Sequence, residues 1–318
     1  MVKLFNKSIL FLFVFLLALS MTDCSKDPTD EERKEVLLHK MLKDIAADSL
    51  ENNVIWLQNM GTRFTLADNH RNVAVMIRNR FTMMGYDDVK IDSFFITKTY
   101  RSINYDQWQY NVIATVEGAG YPDSLCVIGG HYDNIVSTGD PFTIVPGAND
   151  NASGVSAVLE IARVIAKNKY QPESTVKFIA FGSEELGLFG SYDFAADPGG
   201  NSSGIRFMLN FDMIAYEPST DPASWVVNIM DYDNSHLLRK EAESMCSKYT
   251  QLQYITDNTH NRQSDSYPFY TNGYKAIFFF ANSMDPNYHT LNDLAKYCNF
   301  SYSREIVKAA LALLVNKN

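Results

Sequence analysis

Residues 175–191 read TVKFIAFGSEELGLFGS, and this stretch joins a buried-strand pattern to an acidic end. The run from Thr175 to Phe181 is almost continuously apolar, which is typical of a strand covered on both faces of a sheet. Two adjacent glutamates, Glu184 and Glu185, follow it. Neighbouring carboxylates repel each other, and glutamate is rarely buried. The pair therefore either reaches solvent or needs a positive charge nearby.

The sequence on both sides of this stretch alternates between strand-like and helix-like patterns. Apolar runs predict strands at residues 91–99, 110–117, 125–130, 175–181, 205–211, 225–230 and 276–280. Amphipathic spacing predicts helices at residues 35–48, 72–84, 153–168, 187–196, 234–248 and 303–316. Continuous apolar strands separated by such helices favour an α/β fold, with a central mixed, mostly parallel sheet flanked by helices on both faces.

Side chains of the kind that bind metals follow several predicted strands. His131 and Asp133 follow the third strand, Asp212 follows the fifth, and His289 lies in the loop after the last. The carboxyl ends of parallel strands meet at one edge of a sheet, where ligands collect. Imidazole and carboxylate groups are typical zinc ligands. Each residue alone is more simply a loop residue, and only their coincidence indicates a metal site.

The segment PGANDNASG, residues 146–154, supplies one further candidate. An amphipathic helix follows it, and Asp150, Asn151 or Ser153 could simply cap that helix. These residue types accept hydrogen bonds from the first backbone amides of helices. The segment has more polar groups than a cap needs, so Asp150 is also a candidate ligand.

Five motifs occur along the chain in the order found in one enzyme family. They are GGHYDN at 129–134, PGANDNASG at 146–154, FGSEELGLFGS at 181–191, NFDMIAY at 210–216 and YHTLND at 288–293. In this order they resemble the motifs of the zinc-dependent aminopeptidase family, which includes bacterial leucyl aminopeptidases, glutamate carboxypeptidases and glutaminyl cyclases. The resemblance extends over about residues 110–295. It implies a central mixed sheet flanked by helices.

The resemblance also implies a site with two zinc ions. Five positions match the family's ligands, namely Asp150 as the bridge, His131 and Asp212 on one ion, and Glu185 and His289 on the other. Glu184 is then the general base rather than a ligand. The two ions would supply the positive charge that the paired glutamates need, because four carboxylates near one point are not tolerated without it.

Other matched positions concern support and substrate. Asp133 is expected to orient the imidazole of His131, as metal-bound histidines usually require. Asp265 lies in QSDSYPF, residues 263–269, which resembles the family's Ser-Asp-His stretch although Ser266 replaces the histidine. The tyrosine that often precedes this stretch in the family, and stabilises the reaction intermediate, is absent here. The candidate substitutes are His260, Arg262 and Tyr267, and the sequence does not choose among them.

Three functions follow from this resemblance. The first is a metallo-aminopeptidase that hydrolyses N-terminal residues from peptides with a metal-bridging water, with Glu184 transferring the proton. A carboxypeptidase of the same family, with Arg262 on the terminal carboxylate, is its close alternative. The second is a glutaminyl cyclase, an acyltransferase with one zinc. The third, a non-catalytic binding module, is disfavoured because every ligand position and the base are filled.

Composition and the N-terminus bear on partners and location. The 318 residues include 37 acidic and 28 basic ones, a net charge of −9, which argues against a nucleic-acid surface. Residues 1–24 have the pattern of a signal peptide, and Cys24 would permit membrane attachment through a lipid. A charged tether, residues 25–33, and one zinc-peptidase domain, residues 34–318, are predicted to follow. We therefore expect an exported enzyme of the bacterial cell envelope or a secreted one.

Overall fold

The computed structural model describes residue 27, residues 29–197 and residues 204–318. The predicted signal peptide, Cys24 and part of the predicted tether lie outside these described residues. The first described helix begins at Asp30, inside that tether. Chain contacts divide the protein after His39, and Lys40–Asn318 form the compact unit that contains the eight described strands.

One sheet runs through this unit. Its strands are β1 (Val89–Tyr100), β2 (Ile103–Val116), β3 (Tyr121–His131), β4 (Ser174–Phe181), β5 (Ile205–Phe211), β6 (Val226–Met230), β7 (Gln253–Ile255) and β8 (Ala276–Ala281). Their order across the sheet is β1-β2-β4-β3-β5-β8-β6-β7. The central strands β4, β3, β5 and β8 are parallel, whereas the pairs β1–β2, β2–β4 and β6–β8 are antiparallel. The predicted mixed sheet with a parallel centre is confirmed.

Helices cover both faces of the sheet. The described helices are α1 (Asp30–Asp44), α2 (Ala47–Gln58), α3 (His70–Met83), α4 (Ser153–Asn168), α5 (Phe189–Ala196), α6 (His236–Tyr249), α7 (Ser266–Thr271) and α8 (Phe300–Lys317), and most of α1 precedes the unit that contains the sheet. On one face α4 packs on β3, β4 and β5 and against α2 and α8. On the other, Phe194 of α5 and Phe269 of α7 pack around Phe181. None of the described helices is long and apolar enough to cross a membrane.

Two glycines let the start of α4 approach the ends of the central strands. A β-carbon added at Gly130 would lie 2.7 Å from the carbonyl oxygen of Phe211, and one at Gly154 would lie 2.2 Å from it. Only glycine fits at such distances. Asn151 ties the turn down, because its Nδ2 donates to the Phe211 oxygen at 2.9 Å while its Oδ1 accepts from the Gly154 N–H at 2.8 Å. The turn that carries Asp150 is thereby held over the ends of β3 and β5.

Candidate active site

The predicted ligands converge at the carboxyl ends of the central strands. His131 ends β3, Glu184 and Glu185 follow β4, Asp212 follows β5, Asp150 lies in the turn before α4, and His289 lies in the loop after β8. Because β4, β3, β5 and β8 are parallel neighbours, their ends lie side by side. Glu185 and His289 are partly buried, and the other four side chains are buried.

The carboxylate of Asp150 lies between two histidines. Its Oδ1 atom is 3.5 Å from Nε2 of His131, and its Oδ2 atom is 3.0 Å from Nε2 of His289. Oδ1 of Asp212 is 3.4 Å from Nε2 of His131, and Oε2 of Glu185 is 3.1 Å from Nε2 of His289. Within 3.5 Å, Nε2 of each histidine therefore faces Asp150 and one further carboxylate.

Glu184 lies near the His131 side of this cluster. Its Oε2 atom is 3.9 Å from Nε2 of His131. Ligand-type atoms of His131, Glu184 and Asp212 all lie within 4.8 Å of one another, and so do those of His131, Asp150 and Glu185. These distances alone allow Glu184 either to hold a cation or to exchange protons with a group held there.

Asp133 positions both glutamates and His131. Its Oδ1 atom accepts from the backbone N–H of Glu184 at 3.0 Å, and its Oδ2 atom accepts from that of Glu185 at 3.2 Å. The hydroxyl of Thr65 also donates to Oδ2, at 2.7 Å. The expected contact with His131 is closest at the carbonyl oxygen of Asp133, 3.1 Å from Nδ1, while the carboxylate lies 3.6 Å from it. One residue thus links the ends of β3 and β4.

Two other side chains fix individual ligands. Asp293 accepts from the backbone N–H groups of Asn149 at 2.7 Å and Asp150 at 2.9 Å, which holds the turn before α4. The hydroxyl of Ser264 donates to Oδ2 of Asp212 at 2.7 Å. These contacts leave the other oxygen of Asp212 directed to the cluster.

Burial and mutual repulsion disfavour negative charge on the clustered carboxylates. Burial raises the pKa of Glu184 well above its ordinary value; His131 opposes this shift, and Glu185 and Asp212 add to it. Burial, followed by the charge of Asp150, raises the pKa of Glu185 to about 7. Cations placed among such groups reverse this effect by favouring the charged carboxylates.

Polar atoms without hydrogen-bond partners indicate where a cation fits. Among the described residues, Oε1 of Glu185 is buried without a partner, and Oδ1 of Asp212 and Nε2 of His289 are buried and make no well-oriented hydrogen bond despite their contacts at 3.0 to 3.4 Å. Buried polar atoms in native proteins nearly always have a partner. Nitrogen and carboxylate oxygen donors are those that Zn²⁺ takes. The residues present therefore fit bound zinc.

Two cavities open beside the cluster. The inner cavity has a volume of about 110 Å³, and its other walls are formed mainly by Met213, His260, Phe278, Phe280, Met284 and Tyr288. The outer cavity has a volume of about 500 Å³ and is lined in part by Leu188, Tyr192, Arg262 and Tyr267. Glu184 and Glu185 border both cavities. The two cavities therefore adjoin each other at these glutamates.

The predicted substrate residues occupy different places. His260 lies in the inner cavity, whereas Arg262 and Tyr267 lie in the outer one. Asp265 lines neither cavity. It is fully buried next to Ser264, and burial raises its pKa to about 7. Asp265 therefore lies in the protein interior and does not face either cavity.

Comparison with known proteins identifies the family. The sequence pattern of peptidase family M28 matches residues 111–314, which is more than half of the chain. The protein belongs to peptidase family M28. This membership confirms the predicted enzyme class at the level of a hydrolase that acts on peptides, and the matched relatives include zinc metalloproteases and aminopeptidases.

Individual relatives agree with this assignment. A "Probable zinc metalloprotease" of Leptosphaeria maculans is 28% identical over 338 residues, covering 90% of this chain and 77% of its own. "Leucine aminopeptidase 1" of Neurospora crassa is 26% identical and covers 90% of this chain and 71% of its own. The chain spans between 38% and 77% of the length of such relatives. The crystal structure of the LapA aminopeptidase of Legionella pneumophila shares the fold, with a TM-score of 0.72 at 23% identity over 92% of this chain and 77% of that one.

Several residues that build this M28 site were not predicted from the sequence. Arg63 is fully buried, and its guanidinium donates to the carbonyl oxygens of Leu57, Tyr132, Pro146 and Gly147 at 2.7 to 3.0 Å. Nothing in the local pattern marks this arginine for burial. Ser264 and Tyr288 were accessible to sequence reasoning, because they adjoin Asp265 and His289. The ring of Tyr288 stacks on that of His289 with centroids 3.8 Å apart.

Proposed function

We propose that this M28 protein is an aminopeptidase with two zinc ions per chain. The observation that carries the proposal is the position of Asp150, whose two carboxylate oxygens face different histidines at 3.5 and 3.0 Å. A bridging ligand requires such an arrangement. His131, Asp150 and Asp212 would hold one ion, and Asp150, Glu185 and His289 the other.

We assign the proton transfer to Glu184. Bound zinc ions lower the pKa of water and stabilise the negative charge that develops on the peptide carbonyl. Glu184 borders both cavities, so its carboxylate can accept the proton of the attacking water and donate it to the leaving amine. The hydrogen bonds from Glu184 and Glu185 to Asp133 keep the backbone of the pair fixed during this transfer.

The cavities favour the N-terminal end of a peptide. The inner cavity, at about 110 Å³, is much smaller than the outer cavity of about 500 Å³, so it suits a single side chain. Its described lining includes no lysine or arginine that could hold a terminal carboxylate. The clustered carboxylates instead suit the ammonium group of a free N-terminus. These features support an aminopeptidase over a carboxypeptidase, and peptides over nucleic acids as partners.

Metal analysis and a substrate panel on one preparation test this function. We expect close to two zinc ions per chain and hydrolysis of aminoacyl anilides with apolar side chains. Acetylation of the substrate amine should abolish hydrolysis. Removal of zinc by a chelator should do the same, and added zinc should restore activity.

Two results would contradict the proposal in different ways. One ion per chain together with cyclisation of N-terminal glutamine would indicate a glutaminyl cyclase. Release of C-terminal residues from acetylated peptides would indicate a carboxypeptidase. Either result would leave membership of the M28 family intact.

A further inference from the structure

Arg262 is a cation at the outer cavity of an otherwise acidic site. The cavity is bordered by Glu184, Glu185 and His289 on one side and by Arg262 and Tyr267 on the other. Among the described residues that line the two cavities, Arg262 alone is a lysine or arginine. A ligand that reaches beyond the glutamates therefore meets a positive charge.

The guanidinium of Arg262 is free to bind an anion. The side chain is exposed, and within the described parts of the chain no carboxylate forms an ion pair with it. Its described contact is with the ring of Tyr267, whose centroid lies 5.9 Å from Cζ. A cation on an aromatic face keeps its hydrogen-bond donors available at the edge of the guanidinium plane.

The backbone that carries Arg262 is held in place. Asn261, the preceding residue, donates from Nδ2 to the carbonyl oxygen of Asp231 at 2.8 Å, and its own carbonyl oxygen accepts from the hydroxyl of Tyr232. Asn258 donates from Nδ2 to Oδ1 of Asp231 at 2.9 Å. A charge on such an anchored segment loses less conformational entropy on binding than one on a mobile loop.

We propose that Arg262 selects peptides with a carboxylate on the residue that follows the cleaved bond. This inference rests on the proposed aminopeptidase function. The first side chain then occupies the inner cavity, and the second residue occupies the outer cavity beside Arg262. The carboxylate has two sources, the side chain of an acidic second residue and the C-terminus of a dipeptide.

A pair of matched substrates tests whether Arg262 recognises the side-chain carboxylate of an acidic second residue. For a favoured first residue X, we compare kcat/KM for X-Glu-amide and X-Gln-amide, which differ in charge and hardly in shape. The wild-type protein should prefer X-Glu-amide by about two- to fivefold, the range expected for an exposed ion pair. Arg262→Gln should bring the ratio close to one, and Arg262→Glu should invert it. High salt should weaken the wild-type preference.

A second pair of substrates tests whether Arg262 recognises the C-terminal carboxylate of a dipeptide. The free dipeptide X-Ala is compared with X-Ala-amide, in which the terminal charge is absent. A preference for X-Ala that Arg262→Gln removes would assign the site to dipeptides, and a Glu-over-Gln preference that it removes would assign it to acidic second residues. Either result supports the proposal.

Arg78→Gln is the control for net charge. Arg78 is partly exposed on α3, its guanidinium bonds to Asn79, and it lines neither cavity. Its replacement should keep the wild-type ratios. If the ratio of kcat/KM for X-Glu-amide to that for X-Gln-amide, and the ratio for X-Ala to X-Ala-amide, are the same in wild type and Arg262→Gln, the inference is wrong. Hydrolysis of X-Gln-amide in the same experiment would still support the aminopeptidase function. Failure to hydrolyse any substrate with a free amine would overturn both.

Discussion

Glu184 and Glu185 are identical neighbours in different surroundings. Both backbone N–H groups donate to Asp133, so the chain presents the pair in a fixed orientation. Oε1 of Glu185 is buried without a partner, and its Oε2 lies 3.1 Å from Nε2 of His289. The carboxylate of Glu184 is 3.9 Å from Nε2 of His131. The shorter carboxylate–histidine distance at Glu185 suits a metal ligand, and Glu184 is then available for proton transfer.

Replacement of Glu184 by glutamine should separate chemistry from metal binding. In Glu184→Gln we expect both zinc ions to stay bound while kcat falls by about 10²–10⁴-fold, because the amide cannot accept a proton. Zinc content by elemental analysis and kcat on an aminoacyl anilide, measured on the same sample, check this outcome.

Glu185→Gln is the matched control, since it removes one negative charge from the same loop. We expect weaker zinc binding in this variant, because a neutral amide is a poorer zinc ligand than a carboxylate. Loss of zinc from Glu184→Gln with full zinc in Glu185→Gln would reverse the two roles. Similar losses in both variants would mean that the glutamates act as one unit.

Candidate ligands that directly follow strands are easier to predict from the sequence than the side chains that hydrogen-bond to those ligands. His131, Asp212 and Glu185 were predicted because parallel strand ends must meet at one edge. The contact of Ser264 with Asp212 was not predicted, because it joins residues far apart in the chain. The direction of a side chain is equally hidden, so the two hydrogen bonds that Asp133 accepts became visible only in the structure.

At the scale of elements, Arg63 connects three parts of the chain. It reaches the carbonyl oxygens of Leu57 at the end of α2, Tyr132 beyond β3, and Pro146 and Gly147 before the turn that carries Asp150. Burial lowers its pKa to about 10, and nearby carboxylates oppose that shift. The guanidinium therefore stays charged at neutral pH and holds two ligand-bearing segments together.

Removal of this guanidinium should destabilise the fold. Arg63→Met keeps an apolar stem but leaves buried carbonyl groups without donors, so we expect a loss on the order of 3 kcal/mol in the free energy of unfolding. Urea unfolding with a chelator present measures this loss without a contribution from zinc. Arg78→Met, a replacement at a partly exposed position whose guanidinium bonds to Asn79 at the surface, should change stability little. An unchanged urea midpoint in Arg63→Met would refute the role assigned to Arg63. If Arg63→Met does not fold, the same measurement is made on Arg63→Lys.

Most elements were predicted, including the short strands β6 and β8, but α2, β7 and α7 were not. The strand at 205–211 and the helix at 153–168 match β5 and α4, because each has a sustained hydrophobic period. α2 was missed, and the helix predicted at 35–48 runs across the break between α1 and α2. β7 has three residues and α7 has six, with Pro268 inside, so neither carries a recognisable period.

At the scale of the whole molecule, strand order assembles the site. The sequence predicts a mixed sheet but not the order β1-β2-β4-β3-β5-β8-β6-β7. Pairing between distant strands leaves no local pattern, so β8, which precedes His289, could not be placed beside β5 from sequence alone. The resemblance to a family supplied the grouping of ligands that local patterns lack.

We propose that the whole protein is exported and loses its first 23 residues. Lys3 and Lys7 precede the apolar run at 8–20, and Cys24 follows it, as in lipoprotein signals. Intact mass should therefore begin at Cys24, with a lipid adduct in the membrane fraction, because two or more acyl chains anchor a protein stably. Cys24→Ser should move the enzyme out of the membrane fraction without changing its zinc content. A mature mass that starts a few residues from Cys24 in a soluble fraction would support plain secretion, and an intact residue 1 in the cytoplasm would refute export.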